Sequence, residues 1–199
     1  KLWLFNVHYL YHYVKDIMIT QYSHGINTEA KPSNNVIDIY KKWSAEEIRA
    51  ALQPNRMPLV NICINLDHGF NVGSIIRASN CFLAKETYVV GRKRFDRRGA
   101  VGSTHVERIY HADTFDEVLE ILHPLGYTVF AVDNIPEYNP QNIFDADIPM
   151  KSAFVYGSEC DGLPQEIIDK CDEMIYIRQD GSIRSLNVAQ AAACVCCEY

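Results

Sequence analysis

The chain has 199 residues, of which 48% are hydrophobic and 22% charged, and its formal net charge is −6. That balance suits a soluble globular protein with a real core, one domain plus an appendage. The acidic sum excludes a surface that attracts nucleic acid everywhere, so any polyanion site must be a local basic patch.

The start, KLWLFNVHYLYHYVKDIMI, is aromatic but interrupted by Asn6, His8, His12 and Lys15. It is too broken to span a membrane, and no small-residue cleavage site follows, so a signal peptide is not expected. Lys1 in place of Met, and Tyr199 in mid-helix by pattern, leave open that the chain extends at either end. The polar, turn-rich stretch from Ser23 to Asn35 reads as a linker or exposed loop. Ser44 with Glu47 three residues on forms a capping box that opens a short helix, which QPNRMP stops. Residues 1–56 are therefore read as an N-terminal extension, and 57–199 as the main domain.

From Leu59 the pattern changes. Strands are predicted at 59–65, 87–91, 127–134, 153–157 and 173–177. Helices are predicted at 72–82, at 114–122 with Thr114 and Glu117 as its cap, at 164–171 behind Pro164, and at 185–197. Strands and helices alternate, so the fold class is α/β with a mainly parallel sheet. Parallel strands carry their ligand loops at their carboxyl ends. Three Gly-containing loops then share one rim: NLDHGFNVGSIIR, YGSECDGLP and RQDGSIRSLN.

Each loop has a plain reading and a chemical one. Arg77, placed about one and a half turns into a helix from Val72, can hold a phosphate or carboxylate bidentately, or be a surface arginine behind an N-cap Asn71. Gly157 and Gly162 allow close backbone approach to a flat ligand, or only a tight turn. Glu159 can accept from exposed N–H groups or orient Arg77. Ser185 and Asn187 face the rim at the mouth of an apolar helix, or only cap it. That helix, made of Val, Ala and Cys, is expected to be buried all round. No GxGxxG or P-loop pattern is present. Cys160 has no His near it in sequence to activate it as a nucleophile.

Seven cysteines, an odd number, form no paired framework, and Cys194, Cys196 and Cys197 share one apolar run. They are expected to be buried, reduced thiols, which points to a reducing, cytoplasmic compartment. No His, Cys and carboxylate set has ligand spacing, so no metal is expected. His68, His105 and His111 are read as polar loop or core histidines.

Together, NVGSIIR (71–77), YGSECDGL (156–163) and GSIRSLNV (181–188) resemble, in order and separation, the three motifs of the SpoU (TrmH-like) RNA ribose methyltransferases of the SPOUT superfamily. The resemblance covers about residues 59–199. It implies a carboxy-terminal trefoil knot, a homodimer through that region, and S-adenosylmethionine as cofactor. It implies an adenine pocket of Gly157, Ile177 and Leu186, lined also by Asp133 and Asn134, with Gly162 among the cofactor-binding residues. Arg77 matches the family's catalytic arginine and would grip the phosphate beside the target ribose. Asn71, Glu159, Ser185 and Asn187 would hold Arg77 and the ribose in place. The implied reaction is methyl transfer to a ribose 2′-hydroxyl of tRNA first, or rRNA second. A SPOUT base methyltransferase and a non-catalytic RNA-binding module are the alternatives. Two departures touch the pocket edge: Arg178 and Gln179 stand where most members have Pro-Met, and Tyr156 replaces the commoner Phe.

The loop GRKRFDRRG (91–99) sets Arg92, Lys93, Arg94, Arg97 and Arg98 against Asp96 alone. In an acidic chain that cluster reads as a phosphate-gripping loop, with Phe95 available to stack on a base.

Overall fold

β-Branched and aromatic runs make the sheet. The computed structural model describes residues 20–21, 35–183 and 185–199. The aromatic start and nearly all of the expected linker lie outside the described residues. Eight strands of the described residues form one sheet: β1 (Thr20–Gln21), β2 (Met57–Ile64), β3 (Ala84–Val90), β4 (Ile109–Ala112), β5 (Thr128–Val132), β6 (Gln141–Asn142), β7 (Ser152–Tyr156) and β8 (Glu173–Tyr176). Their order is β1-β4-β3-β2-β7-β5-β8-β6, and every pairing is parallel except β1 with β4. The mainly parallel α/β sheet is therefore as expected. Strand β4 was not foreseen, because His111 breaks a short run; β1 and β6 are two residues each and carry no pattern.

Among the described residues five α-helices accompany the sheet: α1 (Ala45–Leu52), α2 (Gly69–Cys81), α3 (Phe115–Leu122), α4 (Gln165–Ile168) and α5 (Val188–Glu198). The capping box at Ser44 and Glu47 is complete, and Thr114 accepts from the Glu117 amide as predicted. The period-2 alternation of the strands splits the core in two. Val60, Ile62, Val129, Ala131, Ala153 and Val155 face α3 and α4. Leu59, Cys63, Phe130, Phe154, Tyr156 and Ile175 face α2 and α5. Within the second layer Asn61 is fully buried and fully used. Its amide donates to Ser79 Oγ at 2.9 Å and to Cys196 Sγ at 3.5 Å, and its oxygen accepts from the Tyr156 hydroxyl at 3.1 Å. A buried amide without such partners would cost its full desolvation, so this set fixes α2, α5 and β7 on β2.

Three expectations are corrected. Helix α2 starts at Gly69, three residues before Val72, because Gly69 and Gly73 let 96–100 pack directly on its first turns: a Cβ on Gly73 would stand 2.6 Å from Asp96 O. Helix α5 starts at Val188 with Asn187 as its N-cap, and in this chain it is not buried all round. Ala192, Val195 and Cys196 are buried, but Gln190, Cys194 and Cys197 are exposed. The thiols are all free, yet only Cys63 and Cys196 are buried; Cys81, Cys160, Cys194 and Cys197 are exposed. Among the described residues no helix is long and apolar enough to cross a membrane.

Candidate active site

Strands β2, β7, β5 and β8 are neighbours in the sheet, so the segments that leave their carboxyl ends must meet. They enclose a cavity of about 810 Å³, within the size range of small-molecule sites. Asn71, Glu159, Ser185, Asn187, Asp133, Asn134, Gly157, Gly162, Ile177 and Leu186 all line it. Arg77 does not.

The polar residues form one directed chain. Asn187 caps α5: its Oδ1 accepts from the amides of Ala189 at 2.9 Å and Gln190 at 3.4 Å. That fixes which end of the side chain is oxygen, so Nδ2 faces outward and donates to Asn71 Oδ1 at 3.1 Å. Asn71 Nδ2 in turn donates to Glu159 Oε1. The other oxygen of Glu159 accepts from the Asp67 amide at 3.1 Å. Three loops far apart in sequence are thus locked together by side chains that all face the cavity.

The turn after β7 is built on two glycines. Ser158 and Gly162 exchange backbone hydrogen bonds at 3.1 and 3.0 Å, and Gly162 has φ of +70°. A Cβ on Gly157 would stand 2.3 Å from Gly162 C and O, so no side chain fits there. Asp133, just past β5, ties the turn down: its carboxylate accepts from Leu163 N at 3.1 Å and Asn134 N at 2.8 Å.

Among the described residues, Asp133, Glu159 and Asp161 line the cavity and no lysine or arginine does, so their charge there is negative. Val132, Ile135, Ile177 and Leu186 supply apolar wall. Tyr156 lines the floor, and burial holds its hydroxyl well above the ordinary phenol range. His68 and Asp161 also line the cavity; the strand-end rule that singled out their loops was the signal for them. Among the described residues no group of three His, Cys, Asp or Glu side chains could hold a metal ion.

Two sequence expectations take a different form. With α2 beginning at Gly69, Arg77 lies more than two turns in, and six residues from Asn71 turn it about 120° off the cavity side. Arg77 is exposed and has no hydrogen bond to Asn71, Glu159, Ser185 or Asn187, which were expected to hold it. Phe95, expected to be free for stacking, is half-buried against the second core layer. The basic residues Arg92, Lys93, Arg94, Arg97 and Arg98 are exposed and lie outside the cavity. Arg98 forks onto Asp96 at 2.6–3.0 Å, and these bonds hold the Asp96 carboxyl below its usual range.

The profile of the SpoU rRNA methylase family matches residues 58–197, which takes in every strand-end loop of the cavity. The chain belongs to that family. Among SpoU relatives, it is 29% identical over 147 residues to the tRNA (cytidine-2′-O-)-methyltransferase TrmJ of Methanocaldococcus jannaschii, covering 67% of this chain and 64% of that protein. It is 26% identical over 147 residues to the tRNA (guanosine(18)-2′-O)-methyltransferase of Escherichia coli K12, covering 70% of this chain and 62% of the relative. The chain thus spans less than two thirds of either. The SpoU methyltransferase AviRb of Streptomyces viridochromogenes, solved with the cofactor AdoMet, shares the fold at a TM-score of 0.64. It is 24% identical, with 74% of this chain and 59% of that one covered.

Proposed function

We propose that this SpoU-family chain transfers the methyl group of S-adenosylmethionine to a ribose 2′-hydroxyl of RNA, with tRNA as the first candidate substrate and rRNA as the second. The observation that carries the reading is the convergence of three motif loops on one negative cavity through the Asn187–Asn71–Glu159 chain. The names of the two relatives, both 2′-O-methyltransferases of tRNA, support the ribose as target.

The residues present fit the cofactor. Ile177, Leu186 and Gly157 offer apolar wall and bare backbone to a flat base, with Gly162 in the turn behind. Asp133 and Asn134 offer polar groups to a sugar. The carboxylates, unopposed by lysine or arginine among the described lining residues, favour a ligand carrying positive charge. When bound, S-adenosylmethionine supplies a methyl group on a sulfonium, already activated for transfer.

The protein's part is alignment and proton handling. Asn71 and Asn187, each with its amide orientation fixed, hold Glu159 toward the cavity. Glu159 is positioned to accept the proton that the 2′-hydroxyl gives up. Ser185 adds a hydroxyl at the rim. Arg77 and the exposed arginines of 92–98 lie outside and grip phosphates, which suits a residue that stays protonated.

We extend the proposal to assembly and place. A carboxy-terminal trefoil knot and a homodimer through α5 would cover the exposed face that carries Cys194 and Cys197. Seven free thiols suit a reducing cytoplasm. The test of the central reading is transfer of labelled methyl from S-adenosylmethionine to purified tRNA and rRNA. Label in tRNA is expected; label in neither RNA would overturn the proposal.

A further inference from the structure

Helix α2 carries a face that the cavity does not use. Phe70, Ser74, Arg77 and Cys81 follow at i, i+4, i+7 and i+11, so they lie on one face; Phe70, Arg77 and Cys81 are exposed and Ser74 is half-buried against Gly99, while Asn71, Val72, Ile75 and Ile76 are buried on the others. Phe70 is the anomaly: the residue is 52% exposed, it belongs to neither core layer, and its ring stacks on no described aromatic residue. It is also held firmly. Gly99 approaches so closely that a Cβ there would stand 2.3 Å from Phe70 O, and Ser74 Oγ donates to the same carbonyl at 3.1 Å.

The position of the ring is what gives it meaning. His68 and Asn71, its neighbours in sequence, line the cavity. Residues 95–99, which pack on Gly69 and Phe70, carry exposed Arg97 and Arg98. Arg77 stands seven residues along the same face, about 10 Å away. An exposed, backbone-anchored aromatic between a ligand cavity and two sources of positive charge is the arrangement that single-stranded nucleic acid uses: cations for the phosphates and a flat face for a base.

We propose that Phe70 is a stacking platform for a base of the RNA substrate, next to the nucleotide whose ribose enters the cavity. This rests on the RNA-methylation reading above and adds the residue that holds the substrate strand beside it. Phe95, which the sequence offered for that task, is packed away; Phe70 takes it instead.

The test compares Phe70→Ala and Phe70→Trp with the wild type, using unfractionated tRNA. Phe70→Ala should weaken tRNA binding about ten-fold, which is about 1.4 kcal/mol. It should raise KM for tRNA more than it lowers kcat, and leave the Kd for S-adenosylmethionine within about two-fold, since Phe70 lies outside the cavity lining. Phe70→Trp should restore binding, and its added indole fluorescence should be quenched as tRNA saturates. Wild-type tRNA affinity in Phe70→Ala, or an unquenched indole at saturation, overturns the proposal while leaving the methylation reading intact. A Phe70→Ala protein whose assembly state falls while its tRNA affinity per chain holds makes this a protein contact and also overturns it. A wild-type chain that neither binds nor methylates RNA sinks both readings together.

Discussion

The side-chain amide of Asn187 donates to Asn71 at 3.1 Å across 116 residues of chain. The bond has a direction because the other end of Asn187 caps α5, and amide N–H groups there demand an oxygen. The polarity of the helix terminus is thereby passed to Asn71 and from Asn71 to Glu159. An architectural cap and a carboxylate that lines the cavity are parts of one relay of hydrogen bonds.

Asn187→Asp and Asn187→Ala separate these two duties. The Ala variant loses the cap and should be about 1 kcal/mol less stable in urea unfolding. The Asp variant keeps the cap and should stay within about 0.5 kcal/mol of wild type. Both should lose at least about ten-fold in methyl transfer, because neither can donate to Asn71. Wild-type transfer by Asn187→Asp would show that the direction of the chain is irrelevant to the reaction.

Much of this site was legible in the sequence, because a parallel sheet forces strand-end loops onto one rim; Gly, Glu, Ser and Asn there also read as turn and cap residues, and it is the three motifs taken together that single them out. What was not legible came from packing. The start of α2 hid behind Gly69, which reads as a loop residue until one sees 96–100 pressed on it. The place of Arg77 followed from that start. The apolar sequence of α5 concealed an exposed side, because Ala and Cys look alike in a hydropathy pattern whether or not something covers them. Phe95 and Phe70 exchanged roles for the same reason: a basic loop says where charge is, but only the tertiary contacts say which ring is spare.

Gly157→Ala should be the most damaging small change in the cavity. Its Cβ would stand 2.3 Å from backbone atoms of Gly162, which cannot swing aside as a side chain could. We expect a loss of about 1–3 kcal/mol in unfolding free energy, and S-adenosylmethionine binding too weak to detect by calorimetry. A variant with wild-type stability and binding would contradict the tight-turn account.

The arginines of the basic loop should not be equivalent. Arg98 already spends its guanidinium on Asp96, whereas Arg97 has no such partner among the described residues. In log–log plots of RNA affinity against salt, Arg97→Gln should flatten the slope by about 0.7, the value for one phosphate contact on a single strand. Arg98→Gln should flatten it less. Equal slopes for the two variants would remove the distinction.

Thiol titration reads the burial of the cysteines. Burial pushes Cys63 and Cys171 up to about 12, and Cys196 up to about 11. The thiolate is the reactive form, so at pH 8 a thiol at about 12 is ionised only about once in 10⁴. Cys63, Cys171 and Cys196 should therefore stay silent toward a disulfide reagent until the protein unfolds. Exposed Cys160 should react slowly, because Asp67 above all, with burial and Asp161, raises its thiol. Fast reaction of more than four thiols in the native chain would contradict the described burial.

The central claim is that the oxygen receiving the methyl group belongs to ribose, and alkali decides it. A 2′-O-methyl group blocks attack of the 2′-oxygen on the neighbouring phosphate, so after labelled transfer from S-adenosylmethionine and complete alkaline hydrolysis of the RNA, the label should remain in dinucleotides. Label recovered in mononucleotides would place the methyl on a base and contradict the account, as would RNA that carries none.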